Sequence, residues 1–143
     1  MKEASLVYPM LGMVILTAAT LAILFRSRVR AVREGLLTAR YYKLYRGEIE
    51  PDYAVKPARH FINLFEAPTL YYAACLTAMV THQVTMPIYV LAWLYVLARL
   101  MHAYVHLGTN KLRRRMSAYF LSWLVLLAMW ISIGAGVSFA SSS

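Results

Sequence analysis

Arg59-His60-Phe61-Ile62-Asn63-Leu64-Phe65-Glu66-Ala67-Pro68 sets an arginine, an amide and a carboxylate at the mouth of an otherwise apolar segment. Read as a helix, the stretch puts Arg59, Asn63 and Glu66 at i, i+4 and i+7, on one face about two turns long. A charge carried into hydrocarbon costs about 2.5 to 3.5 kcal/mol on insertion scales, so Glu66 needs a partner or a task. Pro68, inside the same segment, is expected to kink the helix beside Glu66.

Outward from this stretch the chain is mostly apolar. Of its 143 residues 61% are hydrophobic, and the mean hydropathy is +0.55, too apolar for a soluble domain of this size. Four apolar runs, 6–25, 61–80, 86–105 and 116–137, are each about 20 residues and so about one hydrocarbon thickness as a helix. The fold class read from this pattern is an all-α integral membrane protein, a bundle of four transmembrane helices. The helices fall at about 6–25 with a cytoplasmic extension, 58–80, 86–106 and 114–137, in a single domain over 1–143. The extension is expected to carry the first helix on through residue 45, and Gly47 and Pro51 to mark the turn after it. Pro57 is expected in the first turn of the second helix, where its missing N–H leaves no bond unmade.

The net charge of +9 raises nucleic acid as a partner, but the charges gather at the ends of the apolar runs, which excludes that reading. Arginines and lysines crowd the connection 26–59 and recur in 106–115, whereas 81–85 carries none. By the positive-inside rule the first two face the cytoplasm of a multi-pass protein. The first run is an anchor and not a signal peptide, because its arginines follow the apolar core. Membrane lipids are the default partner of the basic ends. The lone Cys75 lies inside an apolar run and excludes an intrachain disulfide.

In the third run Arg99, His102 and His106 fall at i, i+3 and i+7, near the same cytoplasmic end as Arg59, Asn63 and Glu66. Arg115 opens the fourth helix, with Tyr119 one turn on. Two polar stripes and a basic helix start thus meet at one level. The bland reading of Glu66 is a salt bridge to Arg59 or Arg99; the sharper one is that arginines outnumber it and leave a site for an anion. His102 and His106 have the spacing of helical zinc ligands, but the flanking arginines repel a cation and His-Glu-x-x-His is absent, so no metal is expected. No Gly-x-Ser-x-Gly and no phosphate loop occurs.

With these residues in view the chain resembles the MAPEG family, membrane-associated proteins of eicosanoid and glutathione metabolism, as a bacterial-type member. Arg59, Asn63, Glu66 and Pro68 resemble the second-helix signature; Arg99 with His102 resembles the third-helix Arg-x-x-His or Arg-x-x-Tyr, with His106 where tyrosine is usual. Arg115 with Tyr119 resembles the start of the fourth helix, although Met116 stands where a small polar residue is usual. The resemblance implies a homotrimer, in a bacterial inner membrane, with glutathione bound between subunits near the cytoplasmic side and open to lipophilic substrates. It implies that Arg28, Arg59, Asn63, Glu66, Arg99, His102, His106 and Tyr119 bind glutathione and that Arg115 stabilises its thiolate. Arg26 and Arg30 remain alternatives to Arg28, and Arg113 to Arg115.

The activity so implied is a glutathione-dependent transferase or peroxidase acting on lipophilic electrophiles or lipid hydroperoxides. A non-catalytic family member holding an anionic amphiphile or lipid in the same cleft is the alternative. A small multidrug transporter is disfavoured, because arginines flanking Glu66 suit anions better than cations.

Overall fold

The computed structural model describes residues 2–141, so the serine tail at 142–143 lies outside it. The described residues form helices and no strands. A short 3-10 turn, Glu3–Leu6, leads into α1 (Val7–Arg33), and α2 (Tyr41–Leu44), α3 (Asp52–Asn63), α4 (Ala67–Val80), α5 (Met86–Leu107) and α6 (Leu112–Ser141) follow. Three stretches are long and apolar enough to cross a membrane: Glu3–Arg33, Met86–Leu107 and Leu112–Ala140. Helix α4, 14 residues, measures about 21 Å and falls short of a hydrocarbon core by itself.

Helices α5 and α6 pack along one another, α1 packs on α3, and α4 lies against α6. Small residues on α4 and α5, Ala74, Ala78 and Ala92, are fully buried and let the backbones approach. Tyr71 and Tyr95 stack at the centre, ring centroids 4.5 Å apart and planes within 9°. The outward faces keep their apolar side chains exposed, Ile15 at 67%, Phe25 at 68% and Ile131 at 71%, as a surface solvated by lipid requires.

Three expectations are corrected. The first helix does not run on to residue 45; it stops at Arg33. Gly35 at φ +71° takes the left-handed position, Leu36 N–H reaches back to Ala31 and Gly35 N–H to Val32, a glycine-dependent Schellman stop. The second helix does not begin beside Pro57. It begins at Asp52 behind an extended Pro51, with an acid favoured in its first turn, and Pro57 stands inside it.

The third correction matters most for the site. The stretch expected as one kinked helix over 58–80 is two helices, separated at Leu64, Phe65 and Glu66. Pro68 is the second residue of α4, where it lacks the N–H for another turn backward and its ring would crowd the Leu64 carbonyl. The break replaces the expected kink. It also takes Glu66 off the helical face shared by Arg59 and Asn63.

The connection between α1 and α3 is tied down at two points. Glu48 accepts hydrogen bonds from the Thr38 backbone N–H at 2.7 Å and hydroxyl at 2.9 Å. Tyr53 donates to Glu34 at 2.6 Å, and Arg30 Nε donates to the other oxygen of Glu34 at 2.7 Å. The Tyr53 hydroxyl, and then Arg30, hold the Glu34 carboxyl below its usual range, while Glu34 raises the Tyr53 phenol above its own. A depressed carboxylate stabilises above its unfolded pKa, about 4.3, and loses that contribution as pH falls through the lower folded value. The raised phenol contributes below about 10 and loses it as pH rises further. Amide hydrogen exchange across 35–53, corrected for intrinsic rates, is therefore expected to accelerate below about pH 4. At neutral pH Glu34→Gln should reproduce much of that acceleration; equal protection in variant and wild type would disprove the tie.

Candidate functional site

The break after Asn63 leaves that residue's backbone carbonyl with only a long turn bond from the Glu66 N–H, at 3.4 Å, and Arg99 uses it as well. Arg99 is fully buried on α5. Its Nη2 donates to the Asn63 carbonyl at 3.2 Å and to Asn63 Oδ1 at 2.6 Å. The Asn63 amide nitrogen donates in turn to Glu66 Oε2 at 2.9 Å. The direct salt bridge expected between Glu66 and Arg59 or Arg99 is not formed; the only ion pairs among the described residues are Arg30 with Glu34 and His82 with Glu3. A neutral amide relays the attraction instead, orienting the carboxylate without neutralising it. Glu66 itself is exposed, not buried as the sequence suggested.

Above this relay lies a cavity of about 420 Å³ lined by Arg59, Asn63, Glu66, His102, His106, Arg115, Met116, Tyr119 and Phe120. That size is ordinary for a small-molecule pocket. Arg59 and Glu66 are exposed toward it, and Arg115 is half-buried. Of the residues singled out in the sequence, seven line it and Arg99 supports it from beneath through Asn63. Of the two candidates at the start of α6, Arg115 lines the cavity and Arg113 is exposed elsewhere.

Arg28 lies away from this cavity. Its Nη2 donates to the Tyr45 hydroxyl at 2.9 Å, and its guanidinium sits 5.0 Å from the Tyr42 ring centre and 5.7 Å from that of Tyr45. Arg26 and Arg30 line a separate groove on α1 with Arg33 and Glu34. Within one chain, no first-helix arginine reaches the cavity.

Two residues that the sequence reading passed over prove to be part of the arrangement. Asn110, just after the third apolar run, stands at φ +49°, donates its backbone N–H to Val105 at 2.8 Å, and accepts from Arg115 Nη1 at 2.7 Å. It both ends α5 and holds the arginine of α6. His60, three residues before Asn63, is wholly buried; its ring lies 5.5 Å from that of His102 and 5.1 Å from that of His106. The i, i+3 relation of His60 to Asn63 was the available signal.

The chemistry available follows from this inventory. Arg59 and Arg115 present donors to an anion, Glu66 presents an acceptor to a cation, and the lining holds no serine, threonine, cysteine or lysine. An apolar groove of about 600 Å³, formed by Tyr119, Phe120, Trp123, Leu124 and Leu127, adjoins the cavity at Tyr119 and Phe120, which line both. A zwitterionic polar ligand and an apolar one can therefore lie end to end.

In comparison with known protein families, the model of the MAPEG family matches residues 6–135. No curated protein and no solved structure matches the chain.

Proposed function

The chain belongs to the MAPEG family, and on that premise we propose that this integral membrane protein is a glutathione-dependent transferase or peroxidase. The observation that carries the reading is the excess of arginine over carboxylate in one cavity that shares Tyr119 and Phe120 with an adjoining apolar groove. Glutathione has two carboxylates, one ammonium and one thiol; Arg59 suits a carboxylate, Glu66 the ammonium and Arg115 the thiolate. The groove past Phe120 suits the lipophilic partner.

Arg115 acts through charge. A thiolate beside a guanidinium in a poorly hydrated site ionises below its free value of about 8.5. The thiolate sulfur then attacks an electrophilic carbon, forming a C–S bond as the leaving group departs with its electron pair. With a hydroperoxide it attacks the terminal oxygen instead; the O–O bond breaks, the lipid leaves as an alcohol on taking a proton, and a second glutathione reduces the sulfenic acid to disulfide and water.

The fourth membrane crossing is, in this reading, a composite of the end of α3, the break and α4. The assembly is a homotrimer, and α1 of a neighbouring copy closes the open side of the cavity with Arg28 or an adjacent arginine. Titrating the purified protein with glutathione near pH 7 should develop the ultraviolet absorbance of a bound thiolate, saturating with glutathione concentration. Absence of that absorbance, with calorimetric binding of an anionic detergent or lipid in the same cavity, would replace this reading with a non-catalytic amphiphile carrier.

A further inference from the structure

Three of the chain's four histidines converge in one place. His60 on α3 and His102 and His106 on α5 are all buried, at 0%, 3% and 6% exposure, and each offers a ring nitrogen within 4.8 Å of those of the other two. Both nitrogens of His60, Nε2 of His102 and Nδ1 of His106 have no hydrogen-bond partner. Histidines kept for packing alone are expected to satisfy such atoms. Here the unpartnered ring nitrogens are gathered together.

We propose that His60, His102 and His106 form a three-imidazole site for one transition-metal ion, with zinc as the ion that fits. Neutral imidazoles on two helices are the donor set of open zinc sites, which keep a fourth position for water or an anion. His102 is already prepared. Its Nδ1 lies 3.2 Å from the Arg115 backbone carbonyl, which accepts only a protonated nitrogen and so leaves Nε2 as the ligand atom. Zinc–nitrogen bonds of about 2.0 to 2.1 Å in a tetrahedron space the ligands roughly 3.4 Å apart. The widest separation here is 4.8 Å, so the rings must close by about 1.4 Å, within reach of side-chain torsions on a fixed backbone.

The arginines that argued against a metal from sequence have their guanidinium groups bonded elsewhere or set on the cavity side. The Arg99 guanidinium is engaged by Asn63, and that of Arg115 is held by Asn110. Arg59 and Glu66 stand on the cavity side, where His102 and His106 also emerge. Arg59, Arg99 and Arg115 outnumber Glu66, and that net positive charge weakens binding of a bare dication and favours an anion in the fourth position. The metal and that anion together carry less charge than the ion alone.

The proposal does not depend on glutathione, and its test omits it. Metal-stripped protein in detergent, dialysed against zinc, should take up one ion per chain with micromolar or tighter affinity. Cobalt in its place should give the intense visible bands of a four-coordinate site, and X-ray absorption of the zinc form should show three imidazoles. His60→Gln should weaken zinc binding at least 100-fold, whereas His82→Ala, altering the one histidine outside the cluster, should leave it unchanged. Spectra on the unaltered protein keep the test valid if His60→Gln fails to fold. Stoichiometry well below one, six-coordinate cobalt spectra, or uptake that depends on His82 would overturn the site.

Discussion

Arg115→Ala is expected to raise the pKa of glutathione's thiol in its complex with the protein by about two units, a loss of roughly 2.7 kcal/mol of preference for the anion. With the bound thiol ionising near 6.5 in the intact protein and near the free value of about 8.5 in the variant, the thiolate fraction at pH 7 falls from roughly three-quarters to a few per cent. Below about pH 6 the two proteins should differ by close to 100-fold. The pH dependence carries the diagnosis, because a variant that merely bound glutathione less well would show a weaker band with an unmoved midpoint. Arg115→Lys should recover part of the shift through its charge, and not all, because an ammonium cannot keep the fork that Asn110 holds at 2.7 Å. Asn110→Ala tests the support separately. It leaves the guanidinium in place but unanchored, so kcat/KM should fall several-fold with a midpoint shift of well under a unit. If Arg115→Ala leaves the thiolate midpoint where it was, Arg115 is not the stabilising group.

The parts of this arrangement that were legible in the sequence are those that depend on helical periodicity alone. Arg99, His102 and His106 share a face of α5 because they are spaced at i, i+3 and i+7, and Tyr119 follows Arg115 by one turn. Those spacings survive folding because α5 and α6 are uninterrupted. The second segment is different. There, Arg59 and Asn63 stay on one helix, but Glu66 reaches the cavity from a break whose backbone, at φ −91° and ψ −99°, no periodic rule describes. Pro68 signalled a disturbance without fixing whether the chain would bend or part. The parting leaves the Asn63 carbonyl with only a 3.4 Å turn bond from the Glu66 N–H and so open to Arg99, which makes the relay to Glu66 a tertiary consequence of a local defect.

His60 and Asn110 were harder to see for a related reason: each acts on another helix. His60 sits in the quoted stretch, yet its neighbours in space come from residues more than forty positions away, and only the packing of α3 against α5 brings the three rings together. An asparagine after an apolar helix signals a turn, and Asn110 makes one. Its side-chain bond to Arg115 required knowing that the α5–α6 connection is short enough for one residue to bond to both ends, by its backbone N–H to Val105 and by its carboxamide oxygen to Arg115. The stop of α1 at Gly35 was legible in composition, but the helix-forming residues after it outweighed one glycine in a reading based on propensity.

Arg99 decides whether this polar layer is there for stability or for binding, and the two roles predict opposite outcomes for Arg99→Met. Against removal stand two hydrogen bonds from a charged donor to Asn63, worth about 1.5 to 3 kcal/mol each at most. In favour of removal stands the desolvation of a fully buried guanidinium, about 2.5 to 3.5 kcal/mol on insertion scales. To this are added Nε and Nη1, buried without a partner in the chain, at roughly 1 to 3 kcal/mol for each unsatisfied group. The costs match or exceed the gains, and methionine fills much of the same volume without a charge. Arg99→Met is therefore expected to keep the melting temperature within a few degrees of the parent or to raise it, while glutathione affinity drops at least 10-fold as Asn63 and Glu66 lose their orientation. Arg99→Ala lacks the compensating volume and should melt lower. Binding preserved in Arg99→Met, with a large fall in melting temperature, would show instead that Arg99 holds the helices together and that the cavity needs no third arginine.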